Sequence, residues 1–465
     1  MVISRIIFRF TAIMATTVDT NLQVSVTNRQ ILQIALPITA ALIIPNVNFI
    51  TNNIFLGGLG IRELGNAGIT GVYYLVLMVG GNGLGNALQA IISRKAGEGR
   101  PEDIKKVFSQ GIRIVLWFAL GGMLFTWFVA PTVLRLFVRP EDFDQEMDFL
   151  RIRVWGLPFL FLFQAGNAFL IGTLNSKYLL VGTIGQAVIN IFFDYTLIYG
   201  AFSFPHLGFN GAAFASVISE ISGMVIVYVV IFRMGLKKKF ELFQNFRYDR
   251  TYSKVVLKIS APLVLQFVLS TVTWLIFFIL LEQYGDTAKA ISSAMRTIFG
   301  VVGVMIWAFA STSNTMVSNL IGQGLQQSVG KAVGKITVLS LAATLVILVI
   351  LTIFQGSFLG LFRHDIAFIA NASPVLEVVS LGMVMMSIAA IWLNAVTGTG
   401  KTKMNLIIEA AAVVVYLVYT FILVKTLHLS LAAVWSNEFV YWLVVFAVSF
   451  WFLRRGDWKI HSELM

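Results

Sequence analysis

The sequence has 465 residues, of which 58% are hydrophobic and only 12% are charged, against about a quarter charged in a typical soluble domain. This composition excludes an ordinary soluble protein, and an aromatic content of 13% excludes a disordered chain. The remaining class is a membrane protein with several spans. The net charge of +12 needs no nucleic acid partner to explain it, because basic residues are retained in cytoplasmic loops. The absence of cysteine excludes disulfides and thiolate metal sites.

Twelve apolar windows in the sequence are long enough to cross a bilayer, which takes about 20 residues in a helix. We therefore predict an all-α polytopic membrane protein with twelve transmembrane helices. The predicted spans are 31–57, 67–93, 109–130, 150–172, 178–200, 211–233, 257–283, 288–318, 333–355, 375–397, 404–426 and 431–453. The polar linker 234–256 divides the chain into an N-terminal lobe at 31–233 and a C-terminal lobe at 257–453, flanked by terminal segments at 1–30 and 454–465.

The distribution of lysine and arginine predicts the orientation in the membrane. If the N-terminus is inside, the inward segments hold roughly three times as many basic residues as the outward segments. We therefore expect a multi-pass protein of the cell (inner) membrane with both termini in the cytoplasm. The first residues are too short to span a bilayer and lack a cleavage site, so we do not interpret them as a signal peptide. Met14 is an alternative start.

The two halves of the sequence carry matching motifs in the same order. Pro37 in ALP matches Pro262 in SAP, and the GEG motif at 97–99 matches GQG at 322–324. Duplication of a six-span unit gives both halves the same orientation, related by an axis along the membrane normal. This arrangement predicts a transporter with a cleft between two six-helix lobes. A channel is an alternative, although no TVGYG-type filter segment is present in the sequence.

A polar cluster inside the predicted N-terminal lobe is the strongest candidate for a functional site. Asp194 and Asn190 lie one helical turn apart in span five, and Asn52 in span one and Ser216 in span six fall at a similar depth. Acidic residues inside a bilayer are costly, and a carboxylate among oxygen ligands binds a proton or a hard cation. We therefore predict a cation or proton site at these four residues. The alternative is a hydrogen bond that only ties span five to its neighbours.

Three further polar residues are candidates for contacts with a transported molecule. Glu220 lies in span six at the depth of the predicted cation site, and Glu438 lies in the outer part of span twelve. Glu438 would attract a cationic substrate, or else serve only in packing. Arg296 in span eight either pairs with a carboxylate or points into the cleft. The second half is chemically different, since Tyr416 and Thr420 occupy its positions that match the asparagine and aspartate of span five.

These motifs together resemble those of the multidrug and toxic compound extrusion (MATE) transporters of the MOP superfamily. The features that carry the resemblance are ALP in span one, GEG and GQG after spans two and eight, NxxxDY at 190–195 and GAAFAS at 211–216. The resemblance implies an antiporter that expels organic cations in exchange for Na⁺ or H⁺ by alternating access.

The resemblance also implies roles for individual residues. Asp194 and Asn190 match the pair that binds the coupling cation, Na⁺ included, and Ser216 matches the hydroxyl of span six. Asn167 in span four matches a further polar position. Where the family carries an aspartate in span one, this chain has Asn52. One of two carboxylates is therefore missing, and we expect weaker cation binding.

The resemblance implies a transporter rather than an enzyme, with no cofactor besides the coupling ion. The expected partners are small cationic, amphipathic molecules and the lipid bilayer, and we expect a monomer. The sequence holds no complete nucleotide-binding motif, so ATP is not the expected energy source. The alternative function is a lipid-linked oligosaccharide flippase of the same superfamily. Flippases line the cavity with several arginines, whereas Arg296 is the only arginine in the middle of a predicted span here.

Overall fold

The computed structural model of the protein describes residues 22–136, 138–244, 247–363 and 365–459, and the regular structure of these residues is helical throughout. The long helices are α1 (Asn28–Gly57), α2 (Ile61–Gly97), α3 (Pro101–Leu124), α4 (Pro140–Arg153), α5 (Leu157–Gly172), α6 (Leu179–Tyr199), α7 (Phe209–Arg233), α8 (Arg250–Leu280), α9 (Gly285–Gly322), α10 (Val329–Ile353), α11 (Ile366–Gly398), α12 (Thr402–Phe421) and α13 (Asn437–Arg455). Shorter elements are the π-helices Phe125–Val129 and Ile422–Thr426, the α-helical segments Ala130–Leu134, Leu236–Lys239, Gln355–Gly360 and Leu431–Trp435, and the 3-10 turns Val154–Gly156, Ser176–Tyr178, Ala201–Ser203, Leu281–Tyr284, Gln326–Ser328 and Asp457–Lys459.

The helices fit a protein that crosses a membrane many times. Eleven helical stretches in the described part of the chain are long and apolar enough to cross a bilayer. One of them, Arg250–Gly322, contains two predicted spans, α8 and α9, which meet at the turn Leu281–Tyr284. Each predicted span therefore lies on a described helical stretch. The prediction of an all-α multi-pass membrane protein is confirmed.

Most helices begin before their predicted spans, and in two of them a local feature at the N-terminus gives the reason. The Asp249 side chain accepts hydrogen bonds from two backbone N–H groups of the first turn of α8, at 2.9 and 3.2 Å. As a result α8 begins at Arg250, inside the predicted linker 234–256. The helical stretch of the fourth span begins at Pro140, and proline is favoured in the first turn of a helix. Arg153 consequently lies well inside this stretch rather than near its start.

The predicted terminal segments lie largely outside the described residues. Residues 1–21, which include Met14, and residues 460–465 are not described. The predictions made for the segment 1–30 and for the tail 454–465 therefore stay predictions.

Helices of the first half pack mainly on one another, and so do helices of the second half. In the first half, α6 packs against α7 and α1, and α2 packs against α5. In the second half, α11 packs against α9 and α13, and α8 packs against α12. The halves contact each other chiefly through α2, which packs against α8 and α9. The helices that carry the predicted cation site, α1, α6 and α7, are thus neighbours within the first half.

The two halves meet closely at the ends of α2 and α9 that hold the matching glycine motifs. A side chain at Gly97 would collide with the backbone of Asn319, and one at Gly322 would collide with the backbone of Arg94. Small residues let two helices approach this closely in a membrane. The side-chain amide of Asn319 also donates to the backbone oxygen of Ser93 at 3.0 Å. This end of the bundle, which the sequence predicts to be cytoplasmic, is closed by contacts between the halves.

Candidate functional site in the first half of the chain

The polar cluster of the first half is built around one buried carboxylate. Asp194 lies in α6 with 0% of its surface exposed. The side-chain amide of Asn52, in α1, donates to both carboxylate oxygens of Asp194, at 3.4 Å each. These contacts are longer than the usual N–H···O distance of about 2.9–3.0 Å. The structure thus brings Asn52 and Asp194 together but holds the carboxylate loosely.

Two asparagines, each one helical turn before this pair, leave polar atoms without a partner. Asn190 precedes Asp194 on α6 and Asn48 precedes Asn52 on α1, so both lie on the helix faces that meet. The Nδ2 atom of Asn190 and the Oδ1 atom of Asn48 are buried and make no hydrogen bond to any described residue. Such orphaned polar atoms are uncommon inside folded proteins, so they mark a place where a further polar group can bind. Asn190 was predicted from the sequence as a site residue, whereas Asn48 was not.

Ser216 and Asn167 lie on neighbouring helices of the same half. Because α6 and α7 run antiparallel with Gly223 against the side chain of Gln186, Ser216 lies at the level of Asp194. Asn167, in α5, is half-buried, and its Oδ1 atom has no hydrogen-bond partner among the described residues. Within the described part of the chain, neither side chain hydrogen-bonds to the central carboxylate.

Glu220, predicted to contact a transported molecule, takes part in a buried ion pair. Its carboxylate accepts hydrogen bonds from the two Nη atoms of Arg153 at 2.6 and 2.7 Å, and from the Tyr74 hydroxyl at 3.1 and 3.2 Å. The guanidinium of Arg153 also lies 3.7 Å from the centroid of the Tyr74 ring. Paired, buried charges with two-point contacts are costly to separate. In this arrangement Glu220 is therefore occupied by Arg153 and is not free to meet a substrate.

Arg153 links this ion pair to the cation site. It lies close enough to Asp194 for the two charges to interact electrostatically. The ion pair is built from α2, α4 and α7, and the carboxylate–amide pair of the cation site is built from α6 and α1. Neither Arg153 nor Tyr74 was predicted from the sequence as a site residue. An arginine at the start of a span is typical of the membrane interface, and a tyrosine in a span is typical of packing.

The buried carboxylates of the second half lie on other helices and have other partners. Glu438, in α13, is 2% exposed and accepts a hydrogen bond from the Tyr416 hydroxyl at 3.2 Å. Glu409, in α12, is 1% exposed and accepts a hydrogen bond from the Tyr441 hydroxyl at 2.7 Å. Both are thus held by tyrosines, and Glu409 is a buried group that the sequence analysis did not select.

Arg296 lies on α9 with its side chain exposed. Its guanidinium lies 5.7 Å from the ring centroid of Phe278, within the range of a cation–π contact. It makes no ion pair with any described carboxylate, and the other predicted role, an arginine that points into the cleft, stays a prediction.

The cluster at Asp194 offers oxygen ligands suited to a small cation. Among the described residues, no group of three or more His, Cys, Asp or Glu side chains is arranged to hold a metal ion. One carboxylate with amide and hydroxyl neighbours suits a proton or a hard monovalent cation, which would be bound in transit as cargo.

A bundle of apolar helices with ionisable groups buried inside it defines a multi-pass membrane protein with an intramembrane site. A comparison with known protein families identifies the family of membrane proteins to which the chain belongs. The MatE family model matches residues 37–196 and 262–422. The chain belongs to this family of MATE transporters, whose members are transporters rather than enzymes.

Curated relatives and solved structures agree with this assignment. The chain is 23% identical over 369 residues to the probable multidrug resistance protein NorM of Rhizobium meliloti (strain 1021). The matched region covers 78% of this chain and 79% of the relative. It is 21% identical over 447 residues to the probable multidrug resistance protein NorM of Thermotoga maritima, spanning 94% of each. An outward-facing structure of a multidrug resistance MATE family transporter of the MOP superfamily has a TM-score of 0.85 at 17% identity, covering 97% of this chain and 100% of the other.

Proposed function

We propose that the protein is a secondary active multidrug efflux antiporter, which exports organic cations and other xenobiotics in exchange for Na⁺ or H⁺. Membership of the MatE family and similarity to NorM proteins support the multidrug part of this proposal. The observation that carries the ion-coupled part is Asp194, whose carboxylate is fully buried. Within the described residues its only hydrogen bonds are the two long ones from the Asn52 amide.

In the proposed mechanism, Asp194 binds the coupling cation, and Asn52, Asn190 and Ser216 supply the surrounding polar groups. When the cation leaves, the carboxylate depends on the loose contacts from Asn52 and on the nearby charge of Arg153. The loaded and unloaded states of the site therefore differ in electrostatic free energy. A cation that binds one arrangement of the helices better than the other shifts the balance between them.

We further propose two six-helix lobes, 31–233 and 257–453, on either side of a cleft. The two separate matches of the family model, one in each half, support an internal repeat. The close packing at Gly97 and Gly322 supports an arrangement that is closed at one end of the bundle. If both termini are cytoplasmic, as the basic residues predict, this is an outward-open state of a monomer in the cell (inner) membrane.

Substrate contacts would come from polar residues that the structure leaves accessible or weakly engaged. Asn167 and Arg296 fit this description. Glu438 could contact a substrate only after its hydrogen bond from the Tyr416 hydroxyl breaks. Glu220 would become available to a cationic substrate only if its pair with Arg153 opened. The flippase alternative has less support, because the buried Arg153 is neutralised by Glu220 and so adds no net positive charge to a cavity.

The proposal is tested with purified protein in liposomes that contain a fluorescent organic cation, under Na⁺ and H⁺ gradients imposed separately. One gradient should drive transport by the wild type. Asp194→Asn keeps the shape of the side chain and removes its charge, so gradient-driven transport should fall to the background of empty liposomes. Asp144→Asn makes the same change at an exposed position of α4 and should leave transport unchanged. Undiminished gradient-driven transport by Asp194→Asn would refute the ion-coupled mechanism.

A further inference from the structure

A second buried carboxylate in the first half has no partner. Glu146, in α4, is 1% exposed, and neither of its carboxylate oxygens makes a hydrogen bond to any described residue. An isolated buried charge is costly, and a bound proton or small cation removes that cost. Unpartnered buried polar groups are rare enough in folded proteins that each calls for an explanation.

Among the described residues of the first half, four carboxylates are buried, and they fall into two kinds. Two of them form ion pairs at 2.6 Å with arginine, namely Asp142 with Arg62 and Glu220 with Arg153. The other two, Glu146 and Asp194, make no ion pair with any described residue. These two are therefore the buried negative charges of this half that a mobile cation can neutralise.

Glu146 belongs to a line of ionisable groups along α4. Asp142, Glu146 and Arg153 lie on one face of this helix, because one turn separates the first two and two turns separate the last two. At a rise of about 1.5 Å per residue, Arg153 lies roughly 16 Å further along the helix than Asp142. The line runs from the end of the bundle predicted to face outward to the ion pair beside Asp194.

Helix α2 carries a matching line of polar side chains. Asn66, Thr70 and Tyr74 are spaced by one turn each along one face. At one end, the side-chain amide of Asn66 donates to Asp142 at 3.4 Å. At the other end, the ring of Tyr74 contacts the guanidinium of Arg153. Because the two helices are joined at both points and run in the same direction, Thr70 lies at the level of Glu146. Thr70 itself is 1% exposed.

We infer that Glu146 forms a further cation-binding site at the outward end of the first half, next to the ion pair of Asp142 with Arg62, and that this site supplies the coupling cation to Asp194. The inference rests on the proposed ion-coupled transport. Entry is possible at Asp142, whose side chain is 12% exposed beneath that of Arg62, which is 55% exposed. The ligand is a proton or a small monovalent cation, because the site offers one free carboxylate. The ionisable groups that contact the two lines are Arg62 at Asp142, and Arg153 and Glu220 at Tyr74. Tyr73, which follows on an adjacent face of α2, hydrogen-bonds to Thr126 instead.

The first test measures how transport in liposomes depends on the driving cation, with Na⁺ and H⁺ as separate arms. Glu146→Gln should raise the half-saturating concentration of the driving cation about tenfold, the effect of losing one contact to a charged group. The maximal rate and the half-saturating substrate concentration should stay unchanged. Glu141→Gln makes the same substitution on the same helix at a side chain that is 70% exposed, and it should behave as the wild type. An unchanged cation dependence of Glu146→Gln overturns the inference, while loss of transport in Asp194→Asn would still uphold the proposed function.

A second test does not depend on transport. Because the chain has no cysteine, Thr70→Cys places a single thiol at the level of Glu146. Ag⁺, a small monovalent cation that binds thiols, should block this thiol against later maleimide labelling of the denatured protein. Adding Glu146→Gln should slow the block about tenfold, the loss of one contact between the cation and a charged group, whereas adding Glu141→Gln should not. A thiol that Ag⁺ does not reach, or a rate that is the same with and without Glu146, overturns the inference whether or not the protein couples transport to a gradient.

Discussion

The two halves of the protein hold their buried carboxylates in different ways. In the first half, arginines pair with two of them and leave Asp194 and Glu146 without a basic partner among the described residues. In the second half, Glu409 and Glu438 are equally buried, but each accepts a hydrogen bond from a tyrosine hydroxyl. The first half therefore combines charge with counter-charge, whereas the second relies on neutral donors.

The tyrosine contacts of the second half form a connected network. The rings of Tyr416 and Tyr441 lie edge to face with centroids 5.9 Å apart, and Gln266 donates to Glu409 at 3.5 Å. These contacts tie α8, α12 and α13 together. A hydroxyl can donate to a charged carboxylate or accept from a protonated one, whereas a guanidinium can only donate. The tyrosines of the second half can therefore either donate to a glutamate or accept from it, whereas Arg153 can only donate to Glu220.

The positions that match the cation site show the same contrast. Tyr416 and Thr420 stand in the second half where Asn190 and Asp194 stand in the first. The hydroxyl of Thr420 accepts a hydrogen bond from the side-chain amide of Asn437 at 2.9 Å, so it is satisfied within the protein. The second half thus has no buried charge at this position that would need a cation. If transport is ion-coupled, the difference places the coupling site in the first half.

The largest effect is expected from removing the arginine that neutralises Glu220. Arg153→Met leaves a buried carboxylate without its counter-charge, so it should lower the free energy of unfolding by about 3–5 kcal/mol. The measurement is the apparent melting temperature of the purified protein. Adding Glu220→Gln removes the stranded charge and should recover part of the loss. Arg151→Met, on the same helix but with a side chain that is 41% exposed, should have little effect, and an equal loss in both variants would contradict the assignment.

A smaller effect is expected in the second half, where a neutral donor is removed. Tyr441→Phe deletes the hydroxyl that donates to Glu409 and should lower the free energy of unfolding by about 1–1.5 kcal/mol. Tyr416→Phe does the same for Glu438 and should cost a similar amount. Both values come from the melting temperature under the conditions used for Arg153→Met. A loss from either tyrosine variant as large as that from Arg153→Met would show that the halves do not differ as the structure indicates.

The sequence predicted the membrane spans well because the length of an apolar stretch determines directly whether a helix can cross a bilayer. It also selected Asp194, Asn190 and Asn52, since one-turn spacing on apolar helices makes polar residues conspicuous. It could not predict the pair of Arg153 with Glu220, because that contact joins two helices whose rotation about their axes is set by packing. The isolation of Glu146 was equally hidden, since α4 carries several acidic residues and the sequence does not show which of them faces inward.

The smallest expected effect tests the missing carboxylate at Asn52. Asn52→Asp puts a second acidic group where an amide now donates to Asp194 at 3.4 Å. Two carboxylates this close repel each other unless a cation lies between them, so cation binding should tighten. The half-saturating concentration of the driving cation should fall about threefold, equal to roughly 0.7 kcal/mol. Asn46→Asp adds the same charge to α1 on a different face and should leave this value unchanged. If this concentration does not fall in Asn52→Asp, a second carboxylate does not strengthen cation binding at Asp194. The nearby charge of Arg153 would then limit the affinity. The position of the arginine, rather than the loss of the first-span carboxylate, would then set the affinity of this half.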